Sequence, residues 1–296
     1  MRRIMILGCG GMLGDAVYNH FVITDVVDAT DIVLSSPWVH YQDVRDFKNL
    51  MERAAYFEPT VIINLAAITD MERCELDPEE AVMTNTRGSL NCCLLAKKFN
   101  IPYVYISTAG IFDGEKEYYS DDDQPNPLSV YSRTKYLGEL VATKYEKHYV
   151  IRCGWSMGGY EKDKKFIHLI FDQIKNGAKE LNVVDDKAGT PTYTVDFANG
   201  IDALLKSGKY GVYNQVCKGS CTRFDVAEEF VRLLGVDVKV NRVDSSFWQQ
   251  RFFAPRPKSE KLLTNKLNHL GLNAMRDWKK CLAEYAEGWK CRLPMK

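Results

Sequence analysis

The sequence has no long apolar run. No apolar stretch in its 296 residues approaches the roughly 20 that a membrane span needs. The first such stretch ends at Gly8, too short for the core of a secretion signal and better suited to a strand. Net charge is absent as well: 39 Lys and Arg balance 39 Asp and Glu, so nothing in the composition points to nucleic acid or a membrane surface as a partner. There is no C-x-x-C. Of nine cysteines, Cys92 and Cys93 are adjacent and Cys217 and Cys221 are four apart. The five histidines show no ligand spacing either, and no metal is expected. Several cysteines fall in apolar helix or strand patterns, where a thiol packs as a small hydrophobe, so the expectation is reduced thiols and a cytoplasmic protein. Internal repeats and low-complexity tracts are also missing.

What is present is an alternation of strand and helix. Arg3 to Leu7, Val26 to Asp31, Thr60 to Leu65, Tyr103 to Ser107 and Tyr149 to Cys153 read as strands. Met12 to Phe21, Phe47 to Phe57 and Pro78 to Phe99 read as helices, as does a segment from Asn126-Pro127 to about Lys147. Such alternation implies right-handed crossovers and a parallel sheet. Beyond Gly154 the pattern weakens, with helices over Phe166 to Asn176, Val195 to Leu205 and Phe224 to Leu234 and a strand over Tyr210 to Val216. Lys162 to Lys165 and the acidic Asp121-Asp122-Asp123 read as solvated loops, and Tyr118 and Tyr119 as residues that pack a loop onto the body.

Gly8-Cys9-Gly10-Gly11-Met12-Leu13-Gly14 lies between the first strand and the first helix. Gly8 permits a tight turn, Gly11 a close approach to a pyrophosphate, and Gly14 close packing of helix on sheet. The helix N-terminus then offers free N–H groups and a positive dipole end to phosphate. In this strand–loop–helix–strand context the loop implies a dinucleotide. Asp31 ends the second strand where a carboxylate can bind the adenosine ribose and repel a 2′-phosphate, which favours NAD(H) while leaving NADP(H) open; Asp28 is a rival for that place. The cofactor set read from the sequence is Gly8, Gly11, Met12, Leu13, Gly14, Asp31, Asp43, Val44, Leu65, Ala66, Ala67, Asn85, Tyr131 and Lys135.

Tyr131-Ser132-Arg133-Thr134-Lys135 is Y-x-x-x-K, two residues on one helical face. An ammonium one turn from a phenol is expected to make it a stronger acid. Ser107-Thr108 ends a strand, where open α/β sheets bind ligands, and Thr108 can hold the oxygen to which Tyr131 gives its proton.

Together with Asn64-Leu65-Ala66-Ala67, these motifs resemble the extended short-chain dehydrogenase/reductase family. Asn126-Pro127-Leu128-Ser129-Val130-Tyr131, Arg152-Cys153-Gly154-Trp155, Gly189-Thr190-Pro191-Thr192 and Arg256-Pro257 resemble its dTDP-4-dehydrorhamnose reductases over nearly the whole chain. The resemblance implies an α/β fold: a Rossmann-type doubly wound parallel sheet over residues 1–154, with a smaller substrate-binding domain mainly from 155–296, some segments returning to the first. It implies reduction of a nucleotide-linked 4-keto-6-deoxy sugar by NADH or NADPH, with Thr108, Tyr131 and Lys135 catalytic. Trp155 would then pack on the substrate and Arg256 would bind its diphosphate. A homodimer is left open. Where the rhamnose reductases usually carry aspartate and tyrosine, this chain has Ala109 and Gly110. That pair argues against a 4,6-dehydratase, which needs an acid and a base there. It keeps in view a cofactor-binding regulatory subunit like that of methionine adenosyltransferase. A sugar-nucleotide epimerase of the same family, which would differ in the sugar pocket, is a third reading.

Overall fold

The computed structural model describes residues 1–293. The first half runs β1 (Arg3–Leu7), α1 (Met12–Phe21), β2 (Val26–Asp31), β3 (His40–Tyr41), α2 (Phe47–Phe57), β4 (Val61–Asn64), α3 (Met71–Leu76), α4 (Pro78–Ala81), α5 (Ser89–Phe99), β5 (Tyr103–Thr108), α6 (Val130–Ala142) and β6 (His148–Cys153). A seventh strand, Gly211–Asn214, pairs with β6, and the sheet order is Gly211–Asn214, β6, β5, β4, β1, β2, β3. All its pairings are parallel. From β1 the chain winds outward to β2 and β3, then restarts at β4 on the other side and winds the opposite way. The switch point therefore lies between β1 and β4, where such sheets open a crevice at their carboxyl ends.

Alternation along each strand feeds two cores. Ile4, Ile6, Ile63, Val104, Ile106 and Ile151 face Val17 and Phe21 of α1 and Phe197 and Ile201 of the helix Thr194–Ser207. Met5, Leu7, Ile62, Tyr103, Tyr105 and Val150 face Leu50, Ala54, Cys92, Leu95 and Ala96. Both faces of the sheet are thus covered, which is why its strands read as nearly continuous apolar runs. Asp202 on the helix Thr194–Ser207 takes Arg2 at 2.8 Å and His20 at 3.2 Å, tying that late helix to the first strand and helix. The helices Phe166–Lys175, Arg223–Leu234 and Trp278–Lys290 extend the first core, which includes the buried Trp289 and Phe171 at a ring separation of 4.4 Å. Three small sheets complete the second half.

The structure revises several expectations. The helix expected over Pro78 to Phe99 contains a π-helical stretch, Val82–Gly88, between α4 and α5. Within it Asn85 bonds the Ile68 backbone at 2.8 and 3.1 Å and the Thr134 hydroxyl at 3.0 Å. The helix expected from Asn126 begins at Val130, because Ser129 accepts the Ser132 N–H at 3.1 Å, whereas Asn126 donates to Asp113. The acidic loop is not uniformly solvated: Asp121 is buried and accepts the backbone N–H groups of Asn214 and Lys266 at 2.6 and 3.1 Å. The helices Met71–Leu76 and Trp278–Lys290 are additions to the sequence pattern.

Beneath α6, Arg152 of β6 and Glu139 form an ion pair at 2.5 Å, both side chains about nineteen-twentieths buried, and Arg152 also donates to the Asp121 carbonyl at 3.0 Å. Glu139→Leu strands a buried guanidinium and is expected to lower unfolding free energy by about 3–5 kcal/mol in denaturant titration. Adding Arg152→Met should recover much of the loss. A double variant as unstable as the single one would show that the charge is not what is lost.

Candidate active site

The glycine loop and the segment after β4 are pressed together at the switch point. Gly8 has φ +83°, and a Cβ there would lie 2.3 Å from the Ala66 nitrogen. Leu65 N–H donates to the Leu7 carbonyl at 2.7 Å, and Ala66 N–H to the Asn64 side chain at 3.1 Å. A Cβ at Gly14 would meet the Cys9 carbonyl at 2.4 Å, so helix packing requires that glycine. At Gly11 a Cβ would meet nothing within 4 Å, and no side chain caps α1 there. The backbone at Gly11 thus has an open face, while Met12 packs against Gly159, and the first helix N–H groups have no side-chain cap, which fits a pyrophosphate.

Asp31 and Asp28 separate cleanly. Asp31 accepts the Gly10 and Val33 N–H groups at 2.9 and 2.8 Å, so its carboxylate belongs to the glycine loop. Asp28 is paired with Arg53 of α2 at 2.5 Å, away from the loop. Asp43 is held by Arg45 at 2.7 Å. Val44 is buried against Gly88, where a Cβ would lie 2.6 Å from its methyl group. Asn85 has both amide atoms committed to Ile68 and Thr134, so it fixes the loop after β4 to α6 and supports the site from below.

Tyr131 and Lys135 leave α6 next to the end of β5. Lys135 donates to the Ile106 carbonyl at 2.6 Å and lies over the Tyr105 ring at 4.3 Å, while the Tyr105 hydroxyl donates to the Lys135 carbonyl at 2.9 Å. Burial pushes the Lys135 ammonium down to about 8, against the pull of Cys153 and Glu139. The expectation of a more acidic Tyr131 is overturned. Burial pushes its phenol well above the ordinary value, Cys153 and Glu260 push the same way, and the Thr108 hydroxyl only partly opposes them. Tyr131 is therefore a phenol that stays protonated. Thr108 accepts the Gly110 N–H at 3.2 Å, which leaves its own proton to donate.

The second half adds residues that the sequence reading missed. The Trp155 indole donates to Glu260 at 2.6 Å, and its ring lies against Gly189, where a Cβ would come within 2.6 Å. The Arg223 guanidinium lies over Trp155 at 3.9 Å and Phe166 at 4.9 Å. Burial pushes it down to about 10, with Glu260 opposing. Lys165 is exposed, in keeping with its reading as a solvated loop residue, and its ammonium is lowered by the surrounding protein; its charge reaches Lys135, and those of Arg223 and Glu260 reach it. Among the described residues neither Lys165 nor Arg223 has a carboxylate within 4.0 Å, whereas Arg256 has both oxygens of Glu72 at 2.8 and 3.0 Å. Arg256 therefore comes to the site already paired with Glu72, unlike Lys165 and Arg223. No motif marks Arg223 in the sequence: it is the first residue of a helix capped by Thr222, next to Phe224 and Asp225, and only a cation at a helix N-terminus is out of the ordinary there.

Fold and site together define a Rossmann-type protein of the short-chain dehydrogenase/reductase class. Within that class the chain belongs to the family described as the RmlD substrate binding domain, whose model matches residues 1–291. It is 30% identical to the dTDP-4-dehydrorhamnose reductase of Mycobacterium tuberculosis over 95% of this chain and 91% of that protein. The crystal structure of a dTDP-4-dehydrorhamnose reductase from Clostridium acetobutylicum superposes with a TM-score of 0.87 at 31% identity, covering 96% of this chain and 98% of that one. The dTDP-4-dehydrorhamnose reductase of Bacillus anthracis in complex with NADP gives 0.88 at 25% identity, covering 97% and 99%.

With Lys135 lowered to about 8, its ammonium is lost from the free protein as pH rises through that value. kcat/KM for reduced cofactor should fall along the same limb, since that parameter reports the free enzyme. The sign for folding is opposite: between about 8 and the ordinary lysine value the unfolded chain holds the extra proton, so this residue makes stability rise with pH. Lys135→Met should remove the limb near 8 from the pH profile, and a limb that survives in Lys135→Met would assign it to another group.

Proposed function

We propose that this protein is a cytoplasmic NAD(P)H-dependent reductase of a nucleotide-activated 4-keto-6-deoxy sugar, in the supply of deoxysugars for polysaccharide. The observation that carries this is the convergence of Thr108, Tyr131 and Lys135 between the glycine loop and two cations, Lys165 and Arg223, that lack a carboxylate partner.

The glycine loop and the α1 N-terminus hold the cofactor pyrophosphate, and Lys135 uses its remaining N–H groups on the nicotinamide ribose. A bound reduced nicotinamide supplies the hydride. Thr108 donates its free hydroxyl proton to the sugar carbonyl oxygen and so polarises it. As negative charge develops on that oxygen, Tyr131 transfers its phenolic proton to it; burial keeps that phenol protonated at neutral pH, ready to act as an acid toward an alkoxide. Trp155 lines the substrate site, with Arg223 over its ring and Gly189 against it. Arg223, rigidly stacked on Trp155, and Lys165 take the diphosphate, a role for which a planar guanidinium with free donors is suited. The intact Thr–Tyr–Lys set favours a catalyst over a regulatory subunit. The B. anthracis relative was solved with NADP; in this chain the Asp31 carboxylate beside Gly10 favours NADH.

The deciding experiment is NADH and NADPH oxidation with a panel of nucleotide-linked 4-keto-6-deoxy sugars. Tyr131→Phe should lower kcat by about 10²–10⁴ while NADH binding, read by fluorescence, stays intact. No turnover with any such sugar, or full activity in Tyr131→Phe, would sink the reading.

Asp31→Ala should raise the ratio of kcat/KM for NADPH over NADH by about tenfold, the effect of removing roughly 1.4 kcal/mol of charge repulsion. It should also lower the melting temperature, since two loop N–H groups lose their acceptor. An unchanged ratio would assign the ribose contact elsewhere.

A further inference from the structure

Ala109 and Gly110 remove side chains from the turn that follows Thr108, yet the space above them is not apolar. The point a Gly110 Cβ would occupy lies 3.2 Å from the Ser132 hydroxyl, 3.4 Å from Glu260 Oε1 and 3.5 Å from Thr108 Oγ1. Glu260 comes from a remote segment, Ser259–Glu260, whose backbone pairs in parallel with Ala188–Gly189. Its other oxygen, Oε2, is fixed by the Trp155 indole at 2.6 Å. Among the described residues Oε1 accepts no hydrogen bond, and no Lys or Arg lies within 4.0 Å of the carboxylate, so it is held in place by one oxygen and presents the other beside Thr108. Its charge is felt at Tyr131, Lys165 and Arg223, which puts it inside the site.

We infer that Glu260 is a specificity-determining residue whose free Oε1 accepts a hydrogen bond from the hydroxyl on the carbon next to the reacting carbonyl. This rests on the reductase reading above and deepens it. Thr108 and Tyr131 fix the carbonyl oxygen. In a 4-keto-6-deoxy sugar the carbon on one side of the carbonyl bears the methyl branch, and the carbon on the other side, C3, bears a hydroxyl. An ionised carboxylate only accepts hydrogen bonds, so it rewards a hydroxyl there and leaves a costly unsatisfied charge when the hydroxyl is missing. A site built to bond a hydroxyl rejects the analogue that lacks it far more strongly than an apolar pocket rejects an extra group. The carboxylate here is supplied by the second half of the chain rather than by the turn after Thr108, and Gly110 leaves the room that it uses.

The test compares kcat/KM for a nucleotide-linked 4-keto-6-deoxy sugar and its 3-deoxy counterpart in the wild type, Glu260→Ala, Glu260→Gln and Trp155→Phe. The wild type should prefer the hydroxylated sugar by about 10- to 100-fold, the range of a hydrogen bond to a charged group. Glu260→Ala should bring the ratio close to one through loss on the hydroxylated sugar, and Glu260→Gln, which can still accept from Trp155, should lie between. Trp155→Phe removes the indole contact but leaves the carboxylate and should keep a clear preference. Equal loss on both sugars in the Glu260 variants, or an unchanged ratio, overturns the assignment of Glu260 and leaves the reductase reading standing. A wild-type protein that reduces neither sugar overturns both.

Discussion

The site depends on one close approach, that of the Gly8 backbone to Ala66, where a Cβ would lie 2.3 Å from the amide nitrogen. That contact joins the loop leaving β1 to the loop leaving β4, the two strands that flank the switch point. It fixes where α1 begins and which way its free N–H groups face. The Asn85 clamp on Ile68 continues the same line of contacts to α6 through Thr134. Glycine loop, β4 loop and α6 therefore form one connected frame, and Tyr131 and Lys135 are aimed by it. The π-helical stretch that carries Asn85 is the local irregularity this frame requires, and such stretches recur at functional sites.

Burial then sets the chemistry. The strongest influence on Tyr131 and on Lys135 is desolvation, and it acts in opposite directions on the two, favouring the neutral form of each. The pair is consequently a protonated phenol beside a lysine that, at about 8, is still mostly an ammonium at neutral pH. That suits reduction, in which the phenol gives a proton to an oxygen gaining negative charge. It also explains why the frame is polar underneath: Glu139 and Arg152 neutralise each other below α6, and Glu139 supports the ammonium form of Lys135.

Much of this was legible in the sequence because short-range patterns encode it. The first strand and helix, the glycine loop and Y-x-x-x-K each lie within a dozen or so consecutive residues, where period and spacing act directly. The parallel sheet followed from alternation. Less legible were features made by distant partners. Asn126 looks as good an N-cap as Ser129, and only the contact with Asp113 takes it out of that role. Asp121 looks like its exposed neighbours, but the strand Gly211–Asn214 arrives beside it and supplies an N–H to accept. The return of that strand to the edge of the sheet is likewise a tertiary event.

The cations show why a site cannot be read from residue type alone. Arg256 sits in the more suggestive motif, yet Glu72 reaches it from the other half of the chain and satisfies its fork on both oxygens. Arg223 carries no motif and stands at the start of an ordinary capped helix. It is nevertheless the one left stacked between Trp155 and Phe166 without a carboxylate within 4.0 Å among the described residues. A buried charge is costly unless something pairs with it. Arg223 is half-buried rather than sealed from water, so that cost is reduced there, and stacking on the two rings holds the guanidinium in place of an ion pair.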